Sequence, residues 1–289
     1  MLFLPPARYN FYVPTPFFHL NLALDLLQHP ALSTQARAFL LKRRCAFLLG
    51  NTAADVQVIS GQKRTATHFF DLPIQPGDTP PWERLLALYP ALRQSQQLDP
   101  QQAAFLAGYL CHLRADWDWV LDIFLPAFGP HCTWGTFRQR LYYHNVLRAY
   151  LDQRLLPALR GPLEGCLDEV DPDGWLPFVA GQHLRTWRDL LAPQFRPGAA
   201  AQTVEVFAAR QGIPSTEYYA LLSSESRMQA EIFVHIPDEQ IERYQQHLLV
   251  ECIRLVEVYL ATDKPAYPAS VIQTTPALAS TGPVKEKLP

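Results

Sequence analysis

Apolar residues in this chain recur mostly at spacings of three and four, the pattern of helices that bury one face. The clearest case is the stretch 99–128, where Ala103, Leu106, Leu110, Leu113 and Trp117 form one stripe. Asp99 is a good N-cap, and Pro100 suits a first turn in which a missing N–H is harmless. The same reading predicts helices over 15–28, 34–49, 82–92, 133–156, 176–191, 200–211, 215–233 and 237–261. The last has Ile241, Tyr244, Leu248, Leu255 and Tyr259 on one face, with Asp238 and Glu239 in its first turn. The helix over 34–49 carries Lys42, Arg43 and Arg44 late, where cations suit the helix dipole, and Gly50 supplies its stop. Residues 51–70 have no helical period, and within them 56–60 reads as a short strand or as loop.

The expected fold is therefore all-α, a multi-helix bundle. Residues 1–262 form one helical domain, with 15–150 holding the chemistry and 160–262 as a helical extension. Residues 263–289 are rich in proline and small polar residues and read as a disordered tail.

Composition narrows the class. With 289 residues, 48% hydrophobic and 18% charged, the chain is long and apolar enough for a substantial core. A net charge of −2 without a basic run gives no electrostatic case for a nucleic-acid partner. Five widely scattered cysteines (45, 111, 132, 166 and 252) with no C-x-x-C pair read as reduced thiols. The opening MLFLPPAR is too short an apolar run for a signal peptide, and 103–113 is too short to span a bilayer. These features place the chain in the cytoplasm.

Chemistry concentrates on the central helix. His112 and Asp116 are four residues apart, so an imidazole and a carboxylate project one turn apart from one face of an apolar helix. A buried ionised Asp needs a positive partner, and either its own His or a metal ion would serve. The other candidate ligands are His19 in the first helix, Asp55 and His68 in the irregular segment, and His144 in the helix over 133–156. Imidazole and carboxylate are the ligands of catalytic zinc, which lowers the pKa of bound water to about 7.

In order along the chain, H-x3-A at 19–23, G-x4-D at 50–55, Thr67-His68-Phe69 and A-x3-G-x3-H-x3-D at 104–116 resemble the zinc-dependent phospholipase C family, whose all-helical fold also serves zinc nucleases of single-stranded nucleic acid. The resemblance implies up to three zinc ions on His19, Asp55, His68, His112, Asp116 and His144. It further implies Asp116 as a bridge, Asp55 as ligand or as base for the attacking water, and a phosphodiester or phospholipid head group as substrate. Three departures stand out. The chain begins with Met1 where the family exposes an N-terminal tryptophan, Asp122 replaces a family histidine, and Arg148 replaces an acidic residue. Asp122 lies about 120° around an ideal helix from Asp116, so it reaches the site only if the helix breaks before Pro126.

Two other classes compete with a phosphodiesterase. One is a non-catalytic helical scaffold that keeps the fold with a reduced or absent metal site. The other reads Asp116, Asp118 and Asp122 as a magnesium site for a diphosphate. Trp117, Trp119, Tyr142 and Tyr143 read as core or cleft walls, and Glu231 with His235 as a surface pair.

Overall fold

In the computed structural model, which describes residues 12–261, every regular element is helical. The chain runs through α1 (Pro16–Gln28), α2 (Thr34–Leu41), α3 (Arg44–Gly50), a 3-10 turn at Ala53–Val56, α4 (Gln57–Ser60), α5 (Arg64–His68) and α6 (Pro81–Leu88). The central helix α7 (Pro100–Trp119) passes through a π turn at Val120–Phe124 into α8 (Leu125–Phe128). Then come α9 (Phe137–Leu163), α10 (Gly181–Leu191), α11 (Thr203–Gln211), α12 (Ser215–Leu222), α13 (Glu225–Met228), a second π turn at Gln229–Phe233, and α14 (Asp238–Leu260). The expected tail over 263–289 lies outside the described residues.

Helix α7 is buried around its whole circumference from Ala103 to Leu113, which makes it the axis on which the other helices pack. Its start is as expected: the Asp99 carboxylate accepts from the backbone N–H groups of Gln101 (2.8 Å) and Gln102 (3.3 Å). Helices α3 and α14 make its most extensive contacts, and buried apolar residues from Val13 to Tyr259 belong to one cluster.

Two glycines set the α3–α7 crossing. A Cβ on Gly50 would lie 1.9 Å from the Phe105 carbonyl oxygen, and one on Gly108 would lie 2.2 Å from the Phe47 carbonyl oxygen. The two backbones therefore touch. That contact lays the residues just after α3 over the turn of α7 that carries His112 and Asp116.

Several elements differ from expectation. The helix over 34–49 breaks at Arg43 (φ −128°, ψ 32°), whose guanidinium donates to the Phe39 carbonyl at 3.1 Å and so binds the end of α2. Residues 56–60 are neither strand nor loop but part of the short helical turns that make up most of 51–70, with Val56 and Val58 buried. The central helix does not break before Pro126; it widens into the π turn and resumes. Pro126 has no N–H for the Asp122 carbonyl, and the Gln240 side-chain amide donates there instead at 2.9 Å. The helix over 215–233 divides at Ser223–Ser224, where the Ser224 hydroxyl caps α13. Helix α9 runs beyond 156 to Leu163.

The cysteine reading also changes. Cys45 and Cys166 form a disulfide between the first turn of α3 and the segment just after α9, 121 residues apart, whereas Cys111, Cys132 and Cys252 are free. Nothing in the local sequence of either cysteine marks a pairing over that separation. Disulfides persist in oxidising compartments, so cysteine usage no longer argues for a cytoplasmic setting. No helix among the described residues is long and apolar enough to cross a membrane.

Candidate metal centre

Five side chains converge beside the α3–α7 crossing. His112 and Asp116 come from α7, His19 from the first turn of α1, Asp55 from the 3-10 turn, and His68 from the end of α5. All five are buried. His19 Nε2 is 3.3 Å from Asp116 Oδ1, and His68 Nε2 is 3.2 Å from Asp116 Oδ2 and 3.6 Å from Asp55 Oδ1. The His19 and His112 rings stack with centroids 4.0 Å apart.

The outer nitrogens decide which inner nitrogens are bare. His112 Nδ1–H donates to the Asn51 carbonyl at 2.8 Å, which fixes the tautomer and leaves Nε2 with its lone pair. Thr67 Oγ1 donates to the Arg64 carbonyl at 3.3 Å and lies 2.9 Å from His68 Nδ1; in the tautomer in which it accepts from that nitrogen, His68 Nε2 is bare as well. The two Nε2 atoms face each other at 3.3 Å. Further, His19 Nε2 and Asp116 Oδ1 are buried without a hydrogen-bond partner, although they lie side by side.

The spacing is one that a shared cation would fit. Ligands about 2.0–2.1 Å from zinc in a tetrahedral shell lie about 3.3–3.4 Å from one another. The three edges of the triangle His68 Nε2, His112 Nε2 and Asp116 Oδ2 are 3.3, 3.2 and 3.7 Å. A second triple, His19, Asp55 and His112, is also close enough to share an ion. His68 and His112 both carry the outer hydrogen bond usual for metal-bound imidazole.

Charge is unevenly distributed here. Burial pushes the His112 imidazolium down to about 3, so this ring is neutral at pH 7. Burial alone would raise Asp116, but His112, His19, His68 and Arg64 together hold it well below the usual carboxylate range. Arg64 is a permanent charge beside Asp116, and its Nη2 donates to Asp116 Oδ2 at 2.5 Å. Arg64 is itself buried against the Phe70 ring, 4.5 Å from its centroid. Asp55 is also lowered, as His68 and His112 outweigh its burial.

Two expected ligands stand apart. His144 accepts from the Trp119 indole N–H at 2.9 Å and is walled by the rings of Phe124 and Phe128, so its Nε2 serves an aromatic pocket. Asp122 is on the exposed side of the π turn because the helix continues through it. Neither belongs to the groups of described residues close enough to share an ion. The Asp116-Asp118-Asp122 run also fans apart, since Asp116 faces the cluster while Asp118 pairs with Arg114 at 2.6 Å. Glu231 and His235 keep to the surface side, Glu231 with Arg227 and Tyr143, and His235 stacked on Trp134.

Arg64, Asn51 and Tyr109 carry parts of the site that the sequence did not single out. Arg64 sits in the segment without helical period, where nothing in the pattern marks a buried cation. Asn51 contributes only its backbone carbonyl, which no sequence pattern marks. Tyr109 lies on the same α7 stripe as His112, and its hydroxyl donates to the Thr67 carbonyl at 2.6 Å, tying α5 to α7.

No protein-family model matches this chain, and no curated protein or solved structure matches it.

Proposed function

We propose that this protein is a zinc-dependent phosphodiester hydrolase whose centre is formed by His19, Asp55, His68, His112 and Asp116. The observation that carries the reading is the pair of imidazole Nε2 atoms held 3.3 Å apart beside an ionised carboxylate, at the edge length of a zinc shell. The motif order shared with the zinc-dependent phospholipase C family supports it. The bound ion would supply a water of pKa about 7 and a Lewis acid for a phosphoryl oxygen.

The chain's own residues do the rest. The Asn51 carbonyl and the Thr67 hydroxyl orient His112 and His68 so that their Nε2 atoms point inward. Asp55, kept ionised, is a ligand or the acceptor of the attacking water's proton. Arg64 offsets the charge of Asp116. The substrate class that suits this centre is a small phosphodiester, such as a phospholipid head group.

The test is metal content by elemental analysis of untagged protein, comparing wild type with His112→Ala and His68→Ala. Two or more zinc ions per chain, falling in both variants, supports the reading. No metal in the wild type, with both variants still folded, sinks it.

One observation favours a second reading, a helical scaffold without catalysis. Arg64 already supplies the positive charge that Asp116 needs, so that carboxylate is answered without an ion.

A further inference from the structure

A cleft of about 400 Å³ opens between α9, the segment 198–201, α11 and α12, within the usual size range of small-ligand sites. Its origin lies in side-chain size. Gly198, Ala199, Ala200 and Ala201 carry at most a methyl group, so this segment cannot fill the space opposite the α9 face that presents Leu156 and Arg160. Ala149, Leu156 and Val204 are buried and make an apolar floor, while Pro157, Ala200 and Tyr219 are exposed and form the rim. None of the residues lining this cleft belongs to the metal centre.

Arg160 is the one charged residue among the described residues that line the cleft. Its Nη2 donates to the Ala199 carbonyl, which holds the guanidinium against the alanine wall, but it forms no ion pair among the described residues. The hydroxyl hydrogens there are committed elsewhere: Thr203 donates to Asp152 Oδ2 at 2.5 Å, and Tyr219 donates to Glu205, an exposed carboxylate whose charge water and salt screen. A half-buried cation without a carboxylate of its own suits an anion, since a guanidinium pairs with two oxygens of a carboxylate or phosphate. The apolar floor suits an alkyl chain, which gains by leaving water. An inorganic anion alone would leave the floor uncovered, and a hydrocarbon alone would leave Arg160 unanswered.

We propose that this cleft binds a small amphiphilic anion, whose charged end meets Arg160 and whose alkyl chain lies on the floor made by Ala149, Leu156 and Val204. The shared chemistry is an anionic head on a short chain, carried by a fatty carboxylate or by an alkyl phosphate. The site goes beyond the hydrolase reading and does not rest on it, because the cleft and the metal centre have no residue in common.

The experiment titrates hexanoate, octanoate, octyl phosphate and 1-octanol into the full chain by calorimetry, for wild type, Arg160→Gln and Ala200→Trp. Ala200 is exposed, so a tryptophan there plugs the cleft without entering the core, and circular dichroism checks that both variants stay folded. Octanoate is expected to bind wild type about tenfold more tightly than hexanoate, because two further methylene groups leave water. Arg160→Gln is expected to weaken octanoate by about tenfold and to leave octanol unchanged, whereas Ala200→Trp weakens both. Tighter binding of octyl phosphate than of octanoate assigns a phosphate head, and the reverse order a carboxylate; either supports the site. If Arg160→Gln weakens octanol as much as octanoate, Arg160 only holds the Ala199 wall, and the anionic assignment is overturned. Absence of saturable octanoate binding to wild type, or binding that Ala200→Trp leaves unchanged, overturns the site itself.

Discussion

Asp116 and Asp152 are both fully buried carboxylates, and they meet burial in opposite ways. Asp116 stays ionised against Arg64, while Asp152 accepts from the hydroxyls of Thr15 and Thr203 and burial pushes it up to about 7. Between its ordinary value of 3.8 and about 7 the unfolded chain has lost the Asp152 proton and the folded chain keeps it. Stability from this group therefore falls as pH rises through that window, by at most about 1.4 kcal/mol per pH unit. Asp152→Asn is expected to flatten that slope in urea unfolding followed at several pH values between the two limits. A slope identical to wild type would show that Asp152 is ionised when folded. Arg64 separates the two readings of the cluster. In metal-free protein Arg64→Gln leaves a buried carboxylate unanswered, and a loss of about 3–5 kcal/mol is expected. If the cluster holds zinc, added zinc raises the melting temperature of Arg64→Gln more than that of wild type, because the ion replaces the lost cation. If Arg64 is simply the structural partner, zinc shifts neither. His112 and Asp116 were legible from their spacing of four on an apolar helix. Arg64 was not, because burial of a charged residue is decided by what packs over it.

At the level of elements, the α3–α7 crossing is what turns a helix with a His and an Asp into a site. Long helices such as α7 and α14 were legible because caps and apolar stripes repeat over many turns. The stretch that carries Asp55 and His68 was not, since its 3-10 and α turns are four or five residues long and depend on packing against α7. The π turn was equally hidden: Pro126 reads as a stop, but Gln240 of α14, distant in sequence, takes over the carbonyl that proline leaves. Gly108 tests the crossing directly. Its missing Cβ would meet backbone oxygen at 2.2 Å, which cannot move as a side-chain tip can. Gly108→Ala is expected to cost about 1–3 kcal/mol and to weaken metal binding, because pushing α3 away draws the Asn51 carbonyl off His112. Gly161 in α9 is the control, with nothing within 4 Å of a Cβ there. Gly161→Ala should instead stabilise by about 0.4–1 kcal/mol through helix propensity and a less flexible unfolded chain. Thermal melts and zinc content of the two variants would decide it; similar effects at both positions would refute close backbone contact as the organising feature.

For the whole molecule, two kinds of constraint tie distant parts of the chain. The candidate metal ligands join α1, the 3-10 turn, α5 and α7, all within the first half. The Cys45–Cys166 bridge joins the start of α3 to the segment after α9, across 121 residues. Closing so long a loop removes freedom mainly from the unfolded chain, and bridges of this kind are commonly worth about 2–4 kcal/mol. Asn51 is six positions after Cys45, about 9 Å at a rise of 1.5 Å per residue, so the bridge lies a helix length away from His112. The Gly50–Phe105 and Gly108–Phe47 contacts, not the disulfide, fix the end of α3 on α7. Reduction, or the paired change Cys45→Ser with Cys166→Ser, is therefore expected to lower the melting temperature while leaving zinc content unchanged. If the cluster holds zinc, removing it should lower the melting temperature again by about the same amount in oxidised and reduced protein, since sites that share no partner contribute nearly additively. Melting oxidised and reduced protein with and without chelator gives the four values needed. Loss of zinc on reduction alone would mean that α3 is held on α7 by the bridge, and that the metal centre is built only in the oxidised chain.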